Sequence, residues 1–138
     1  MMSNPVTPDP AVYKQLVDAA KKASEKAYAP YSNFFVGAAL LTEDGQIYTG
    51  CNVENREHGG AICAERTALV KAISEGHRRF QAIAVYCKSG EGWPCGVCRQ
   101  FISEFGSEII VIVESEGGNL ICHPMSHLLP EMPAGATA

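Results

Sequence analysis

The sequence predicts an α/β fold in which a mixed β-sheet carries helices on its faces. Two observations support this class. The first part of the chain has the pattern of one amphipathic helix followed by a β-hairpin. In the rest of the chain, short apolar runs alternate with segments whose apolar residues recur at helical spacing. A helix, a hairpin and then alternating strands and helices are typical of a mixed sheet covered by helices.

The first predicted helix begins at Asp9 and Pro10, which supply a capping side chain and a proline at the first helical position. We expect it to end before Pro30, because a residue that precedes proline disfavours the helical conformation. Its apolar residues share one face, which we expect to lie on the core; they are Val12, Leu16, Ala19, Ala20, Ala23 and Ala27.

The elements after this helix follow from apolar runs and turn residues. Phe35 to Leu41 predicts a buried strand, Ile47 to Asn52 predicts the returning strand, and Asp44-Gly45 suits the tight turn between them. Because Ile109 to Val113 is the most hydrophobic strand, we expect it to be central in the sheet. The elements predicted after the hairpin are a helix at Cys63–Glu75, a strand at Phe80–Cys87, a helix at Gly96–Phe105, strands at Ile109–Val113 and Leu120–His123, and a short helix at Met125–Leu129.

The length and composition are those of one globular domain. The chain has 138 residues, of which 46% are hydrophobic and 19% are charged, and this is enough for one core. The polar, proline-containing start and the small, proline-containing end predict a flexible arm at residues 1–8 and a flexible tail at residues 131–138. A single domain is therefore expected at residues 9–130.

Charge and hydropathy exclude several classes of partner. The net charge of −4 disfavours a strong electrostatic grip on a phosphate backbone, so we expect no nucleic-acid partner. No apolar run reaches the roughly 20 residues that span a bilayer, so we expect no membrane partner. The N-terminal residues lack the pattern of a secretory signal. We therefore expect a cytoplasmic protein whose six cysteines remain reduced and free to bind metal.

Three cysteines have the spacing of a metal site. Cys95 and Cys98 form a C-x-x-C pair at the predicted start of one helix, and Cys63 lies at the predicted start of another. Residues three apart are neighbours in a helical turn, and a helix N-terminus favours the thiolate form. A catalytic zinc ion takes three protein ligands and keeps a fourth position for water. Cys63, Cys95 and Cys98 therefore predict one zinc ion per chain, of the catalytic type.

Two residues beside Cys63 have predicted roles at this site. Glu65 follows Cys63 by two positions, and a carboxylate within reach of a metal-activated water can accept its proton and later donate it. We therefore predict that Glu65 is catalytic. Three thiolates leave an excess of negative charge on the zinc ion. We expect the guanidinium of Arg66 to hydrogen-bond the ligand sulfurs and to offset that charge.

Two structural alternatives remain for the three cysteines. Free cysteines are common in protein cores, and a closed structural zinc site would use His58 as a fourth ligand. The joint occurrence of C-x-E and P-C-x-x-C favours the catalytic site over both alternatives. The other cysteines are interpreted as packing residues and the other histidines as surface residues; they are Cys51, Cys87 and Cys122, and His77, His123 and His127.

Polar and aromatic residues near the first strands suggest a substrate site. Asn52 and Glu54 share one face of an extended segment, where an amide and a carboxylate can bind the vicinal hydroxyls of a sugar. A polar strand end in solvent is the alternative. Phe34 is either a stacking surface for a base or a core residue. Trp93 precedes the metal loop, and its role stays open.

Four segments of the chain resemble the small, homotetrameric cytidine deaminases. They are Tyr31–Leu40, Cys51–Asn55, Cys63–Ala68 and Pro94–Gln100. The two metal segments are typical of zinc deaminases as a whole. The Asn-x-Glu-Asn segment is typical of deaminases that act on free nucleosides. The resemblance extends from about Ala27 to Pro130, which is nearly the whole chain.

The resemblance implies a three-layer α/β/α sandwich with a mixed five-stranded sheet. It also implies a role in pyrimidine salvage and a homotetramer whose active sites are shared between subunits. The residue roles it implies are zinc binding by Cys63, Cys95 and Cys98, proton transfer by Glu65, thiolate bonding by Arg66, ribose binding by Asn52 and Glu54, and base contacts by Phe34 and the backbone of Ala64.

The activity implied is hydrolytic deamination of cytidine or deoxycytidine to uridine or deoxyuridine, with release of ammonia, by a zinc-activated water. Two alternatives stay open. The same chemistry could act on another aminopyrimidine nucleoside, such as blasticidin S or a base-modified cytidine, because blasticidin-S deaminases share the metal motifs and Gly59-Gly60. The chain could instead be a non-catalytic, zinc-stabilised binding module. Two departures from the family pattern fall on the pocket: His58 replaces a Tyr or Phe, and no aromatic residue follows Leu128-Leu129-Pro130.

Overall fold

The structure is a computed structural model that describes residues 10–57 and 60–128. The predicted arm and tail, together with His58, Gly59, Leu129 and Pro130, lie outside the described residues. The elements are α1 (Pro10–Ser24), β1 (Val36–Thr42), β2 (Ile47–Cys51), α2 (Ala64–Ser74), β3 (Phe80–Cys87), α3 (Gly96–Ser103), β4 (Ile110–Glu114), β5 (Leu120–Pro124) and α4 (Met125–Leu128).

Helix α1 ends earlier than its apolar spacing predicts. The Ser24 hydroxyl donates to the Lys21 carbonyl at 2.6 Å. The Lys26 N–H then bonds the Ala23 carbonyl, which tightens the chain into a turn. Beyond this turn, Tyr28 forms a bridge with Val53, so its backbone pairs with an extended segment instead of continuing the helix.

The five strands form one mixed sheet in the order β2-β1-β3-β4-β5. Strand β1 pairs antiparallel with β2 and β3, β3 pairs parallel with β4, and β4 pairs antiparallel with β5. The mixed five-stranded sheet is confirmed. The prediction that the most hydrophobic strand is central was wrong, because β3 occupies that place and β4 lies beside it. Hydrophobicity could not separate the two strands, since helices cover both faces of each.

Two hydrophobic clusters lie on opposite faces of the sheet. One packs β1, β3 and β4 against α2, α3 and α4, and the other packs the same strands against α1. Alternate residues of β1 serve the two clusters: Leu40 belongs to the first, whereas Ala39 and Leu41 belong to the second. The three-layer arrangement therefore follows from the alternation of side chains between the two faces of the sheet along the central strands.

Two glycines allow the helices to approach the sheet closely. A Cβ atom at Gly37 of β1 would lie 1.9 Å from the carbonyl oxygen of Ala20 in α1. A Cβ atom at Gly50 of β2 would lie 2.7 Å from the carbonyl oxygen of Ala64 in α2. The close contact at Gly50 sets the distance between the sheet and the first turn of α2, which carries predicted site residues. None of the helices in the described part of the chain is long and apolar enough to cross a membrane.

Candidate metal centre and active site

The three predicted metal cysteines lie together. The Sγ atoms of Cys63, Cys95 and Cys98 all lie within 4.8 Å of one another, and those of Cys63 and Cys95 are 3.9 Å apart. Zinc–sulfur bonds of about 2.3 Å in a tetrahedron place sulfur atoms about 3.8 Å apart. The cluster therefore has the dimensions that a zinc ion requires. No histidine or carboxylate of residues 10–57 and 60–128 belongs to this cluster, and His58 lies outside those ranges.

The starts of two helices position these sulfurs. Cys63 is the N-cap residue of α2 and Cys95 is the N-cap residue of α3, both with extended backbone and without a side-chain capping bond. Cys98 lies in the first turn of α3 and is fully buried. The partial positive charge at each helix N-terminus therefore acts on thiols that are not engaged in capping.

The cysteines polarise one another. A hydrogen bond from Cys98, followed by those from Arg66 and Cys95, lowers the pKa of Cys63 to about 5. The same pairing with Cys63, together with burial, raises the pKa of Cys98. In the metal-free protein, Cys63 is therefore the thiolate and Cys98 the proton donor. A bound cation would take the place of the proton that they share.

Arg66 lies against the cluster. Its Nη2–H donates to Cys63 Sγ at 3.7 Å and to the carbonyl oxygen of Ala61 at 3.1 Å. The neighbouring thiolate raises the pKa of the guanidinium. Its buried Nε–H has no hydrogen-bond partner among the residues that the structure describes. An unpaired buried donor on a guanidinium that already contacts Cys63 Sγ fits a site where metal-bound thiolates carry extra negative charge.

Glu65 is a buried carboxylic acid in the first turn of α2. Only 4% of its surface is exposed. Burial, and then the charge of Cys63, raises the pKa of its carboxyl to about 7. A group with such a pKa can both accept and donate a proton near neutral pH.

A cavity of about 290 Å³ adjoins the cluster. Cys63, Cys95 and Glu65 line one part of it, next to the metal cluster. Phe34 also lines it, with 55% of its surface exposed, so of the two alternatives for Phe34 the one that made it a core residue was wrong. The other predicted substrate residues on its wall are Asn52 and Ala64. A larger cavity of about 750 Å³, lined by Lys21 and Tyr86 among others, contains none of the predicted site residues.

Asn52 and Glu54 hold the segment that carries Phe34. Asn52 accepts a hydrogen bond from the Val36 N–H at 2.9 Å and donates one to the Phe34 carbonyl at 2.8 Å. Glu54 accepts hydrogen bonds from the N–H groups of Tyr31 and Ser32 at 3.0 and 3.1 Å, and another from the Ser32 hydroxyl. Glu54 is not among the described residues that line the cavity. A role in sugar binding stays a prediction for both residues.

The cavity also includes residues that the sequence analysis left without a role or misassigned. Trp93, Glu91 and Cys87 line it. Trp93 was noted for its position before Pro94-Cys95 and Cys87 was interpreted as a packing residue, whereas Glu91 had no predicted role. The packing interpretation was wrong for Cys122, which is exposed on the edge strand β5. For Cys87, the packing interpretation did not include its position on the wall of the cavity. The surface interpretation holds for His123 and His127, whereas His77 is half-buried against the Tyr48 ring.

A family model decides what kind of protein carries this site. The model describes the cytidine and deoxycytidylate deaminase zinc-binding region, and it matches residues 11–114. The chain belongs to this deaminase family. Its predicted family, its enzyme class as a zinc-dependent hydrolase and its zinc cofactor are therefore confirmed.

Individual relatives of this deaminase agree with the family model. The chain is 51% identical over 107 residues to a cytidine deaminase of Sporosarcina psychrophila, covering 75% of this chain and 79% of the relative. A crystal structure of cytidine deaminase from Burkholderia pseudomallei matches with a TM-score of 0.82 and 48% identity, covering 87% of this chain and 98% of that one. A blasticidin-S deaminase of Bacillus cereus is 28% identical over 130 residues, covering 86% of this chain and 92% of the relative.

Proposed function

We propose that this enzyme deaminates cytidine and deoxycytidine hydrolytically to uridine and deoxyuridine, with release of ammonia. The observation that carries the proposal is the burial of Glu65 beside three converging cysteines at a cavity wall. Its cytidine deaminase relatives, which are 51% and 48% identical to it, support the choice of cytidine.

Cys63, Cys95 and Cys98 would hold the zinc ion, which would supply a Lewis acid that makes water nucleophilic near neutral pH. Glu65 would take a proton from the attacking water and deliver it to N3 of the base, while the water oxygen forms a bond to C4. The carboxylate would then accept the remaining proton of the new C4 hydroxyl and donate it to the amino nitrogen, so that the C4–N bond breaks, ammonia leaves and the C4 carbonyl forms. Burial raises the carboxyl pKa to about 7, so the group can act both as proton acceptor and as proton donor near neutral pH.

Arg66 balances charge beside the reacting groups. Three thiolates on a divalent cation leave one excess negative charge, which would weaken the pull of the metal on water. The Arg66 guanidinium contacts Cys63 Sγ through Nη2, and its buried Nε–H is unpaired among the described residues. We assign Arg66 the role of drawing charge from the ligand sulfurs.

The substrate residues follow from the cavity wall and the loop beside it. Phe34 presents its ring to the base, and the backbone of the fully buried Ala64 contacts the base edge. Asn52 and Glu54 bind the ribose hydroxyls while they hold the Phe34 segment in place. This double role would couple recognition of the sugar to the position of the stacking ring.

We further propose a homotetramer in which neighbouring subunits complete each active site. Exposed apolar side chains lie on three connected segments, because Tyr28 forms a bridge with Val53 and Val53 forms a bridge with Ile62. Their exposed fractions are 56%, 41% and 40%. Such a patch next to an open cavity is typical of an interface between subunits. The remaining parts of the proposal are a cytoplasmic location and a role in pyrimidine salvage.

Blasticidin S or a base-modified cytidine is the second candidate substrate. It is favoured by the 28% identity to the Bacillus cereus blasticidin-S deaminase across 86% of the chain. The third alternative, a non-catalytic zinc module, does not account for the buried acid at the cavity wall or for membership of the deaminase family.

One panel of substrates tests the proposal. Purified protein with its zinc content measured would be given cytidine, deoxycytidine and blasticidin S, and ammonia release would be followed. Stoichiometric zinc and turnover of cytidine support the proposal. Turnover of blasticidin S alone supports the second candidate. Zinc without ammonia from any nucleoside would contradict deaminase activity, and Glu65→Gln is the matched inactive control.

A further inference from the structure

We propose that Trp93 is a specificity-determining residue that closes the C5 side of the pyrimidine pocket and limits the size of C5 substituents. This inference rests on the proposed function. It concerns which cytosine nucleosides the enzyme accepts and leaves the hydrolytic chemistry unchanged.

Trp93 is a fixed part of the cavity wall. Its Nε1–H donates to Glu91 Oε1 at 2.9 Å. Its ring lies 5.6 Å from the ring of His123, measured between centroids, with 32° between the planes. It also packs against the hydrophobic cluster under α2 and α3. Contacts with a loop residue, an edge strand and the core hold the indole in one orientation.

The loop that carries Trp93 lies close to the end of β3. A Cβ atom at Gly92 would lie 3.1 Å from the backbone nitrogen of Cys87, so only a residue without a side chain fits there without displacement. This contact brings residue 93 to the cavity. Trp93 is two residues before Cys95, which places the indole near the metal cluster and near Glu65.

The reaction places the base at the same end of the cavity. The carbon that loses its amino group must lie beside the metal and Glu65, so its ring neighbours N3 and C5 also lie there. N3 needs a proton donor, which Glu65 provides in the proposed function. The indole has no free donor, because Glu91 accepts its N–H. An apolar wall without a donor suits the C5–H edge of the ring and not the N3 edge.

Size selectivity is the expected consequence. A rigid apolar wall discriminates between ligands that differ by one methyl or methylene group by about tenfold or more. We therefore expect the wild-type enzyme to use cytidine, 5-methylcytidine and 5-ethylcytidine with falling kcat/KM.

The test compares this series in wild-type enzyme, Trp93→Ala and Trp93→Phe, with zinc content checked for each. Trp93→Ala should raise kcat/KM for 5-ethylcytidine relative to cytidine by about tenfold or more, and Trp93→Phe by less. Using the ratio cancels electronic effects of the alkyl group. Tyr13→Ala is the matched control, because it removes a half-buried aromatic residue on the α1 face of the sheet and should leave the ratio unchanged.

A second measurement needs no variant. Trp93 is the only tryptophan in the sequence, so its fluorescence reports on this wall alone. Uridine should change the emission saturably at concentrations that also inhibit turnover, whereas ribose should not.

The two proposals fail in different ways. Suppose that the enzyme turns over cytidine, but that Trp93→Ala and Trp93→Phe leave the ratio of kcat/KM for 5-ethylcytidine to kcat/KM for cytidine unchanged. This result would overturn the role of Trp93 and leave deaminase activity intact. Inhibition by uridine without a change in emission would do the same. Absence of turnover with every nucleoside would overturn both proposals.

Discussion

Arg66 Nη2 lies 3.7 Å from Cys63 Sγ, one helical turn along α2 from the cysteine that begins it. The contact joins a guanidinium to a thiol whose pKa is lowered by its hydrogen bonds to Cys98 and Arg66. It is a local contact, set by the three-residue spacing of the two side chains in the first helical turn. Charge balance at the metal is therefore built into the same turn that supplies a ligand and the buried acid.

Replacing Arg66 with Gln should lower kcat by about 10- to 100-fold. The variant loses the positive charge that offsets the thiolates, so the metal-activated water should ionise at higher pH and the rate profile should move to higher pH. Steady-state rates between pH 5 and pH 9, with zinc content measured, check this. Arg78→Gln is the control, because Arg78 is also an arginine that donates to backbone carbonyls, but outside the site. If the pH dependence of the rate were the same for Arg66→Gln as for the wild-type enzyme, Arg66 would have no role in offsetting the charge of the thiolates.

Glu65→Gln should bind zinc with unchanged stoichiometry and lose turnover by on the order of 10²- to 10⁴-fold. The amide has nearly the shape of the acid and cannot carry the proton from water to N3. Metal analysis and ammonia release on the same sample check this. Turnover within a few-fold of the wild type would exclude Glu65 as the proton carrier.

The same substitution should stabilise the metal-free protein at alkaline pH. Burial raises the carboxyl pKa from 4.5 to about 7, so the folded state opposes ionisation. Stability is lost as pH rises above 4.5, and the loss is complete above pH 7. This cost is at most about 3 kcal/mol. Thermal unfolding of metal-free samples at pH 4.5 and pH 8 checks it. The difference in stability between the Glu65→Gln variant and the wild-type protein should widen at pH 8; equal differences at both pH values would contradict the assignment.

Phe34→Ala should raise KM for cytidine by about tenfold, because stacking a base on an aromatic ring is worth about 1–3 kcal/mol. It should change the free energy of unfolding little, since more than half of the side chain is exposed. Kinetics and chemical denaturation would be measured together. Phe80→Ala is the contrasting variant, because Phe80 belongs to the core and should lose stability. A large loss of stability in Phe34→Ala would mean that the Phe34 side chain contributes to core packing, which would contradict its assignment as an exposed stacking surface.

Gly37→Ala should destabilise the fold by about 3 kcal/mol, at the upper end of the usual cost of overpacking a core. The new methyl group would lie 1.9 Å from the Ala20 carbonyl oxygen, so α1 would have to move away from the sheet. Urea denaturation checks this. Gly117→Ala is the matched control, because its Cβ would meet only the Asn119 amide nitrogen at 3.5 Å. Equal stability of the two variants would mean that α1 shifts at little cost.

Much of the fold and part of the site could be predicted because their signals are local. The period of two in Ala38–Leu41 and the helical spacing of Leu16 and Ala20 depend on residues within a few positions of one another. Apart from the end of α1, the strands and helices were therefore assigned to within about two residues of their observed bounds. The link between Cys95, Cys98 and a metal also needs only the spacing of one helical turn.

The rest depended on packing between distant segments. Strand order placed β3 at the centre, the contact of Gly92 with Cys87 brought Trp93 to the cavity, and the segment held by Asn52 left Phe34 exposed. No short window of sequence contains these relationships.

By itself, the sequence determined the element types, the three candidate thiols and the acid two residues beyond the first of them. Only the tertiary structure decided that Cys63 reaches Cys95 from 32 positions away and that Glu65 is removed from water. Spacing along a helix is a property of the local backbone, whereas burial and the convergence of two helix starts arise only when the sheet brings its layers together.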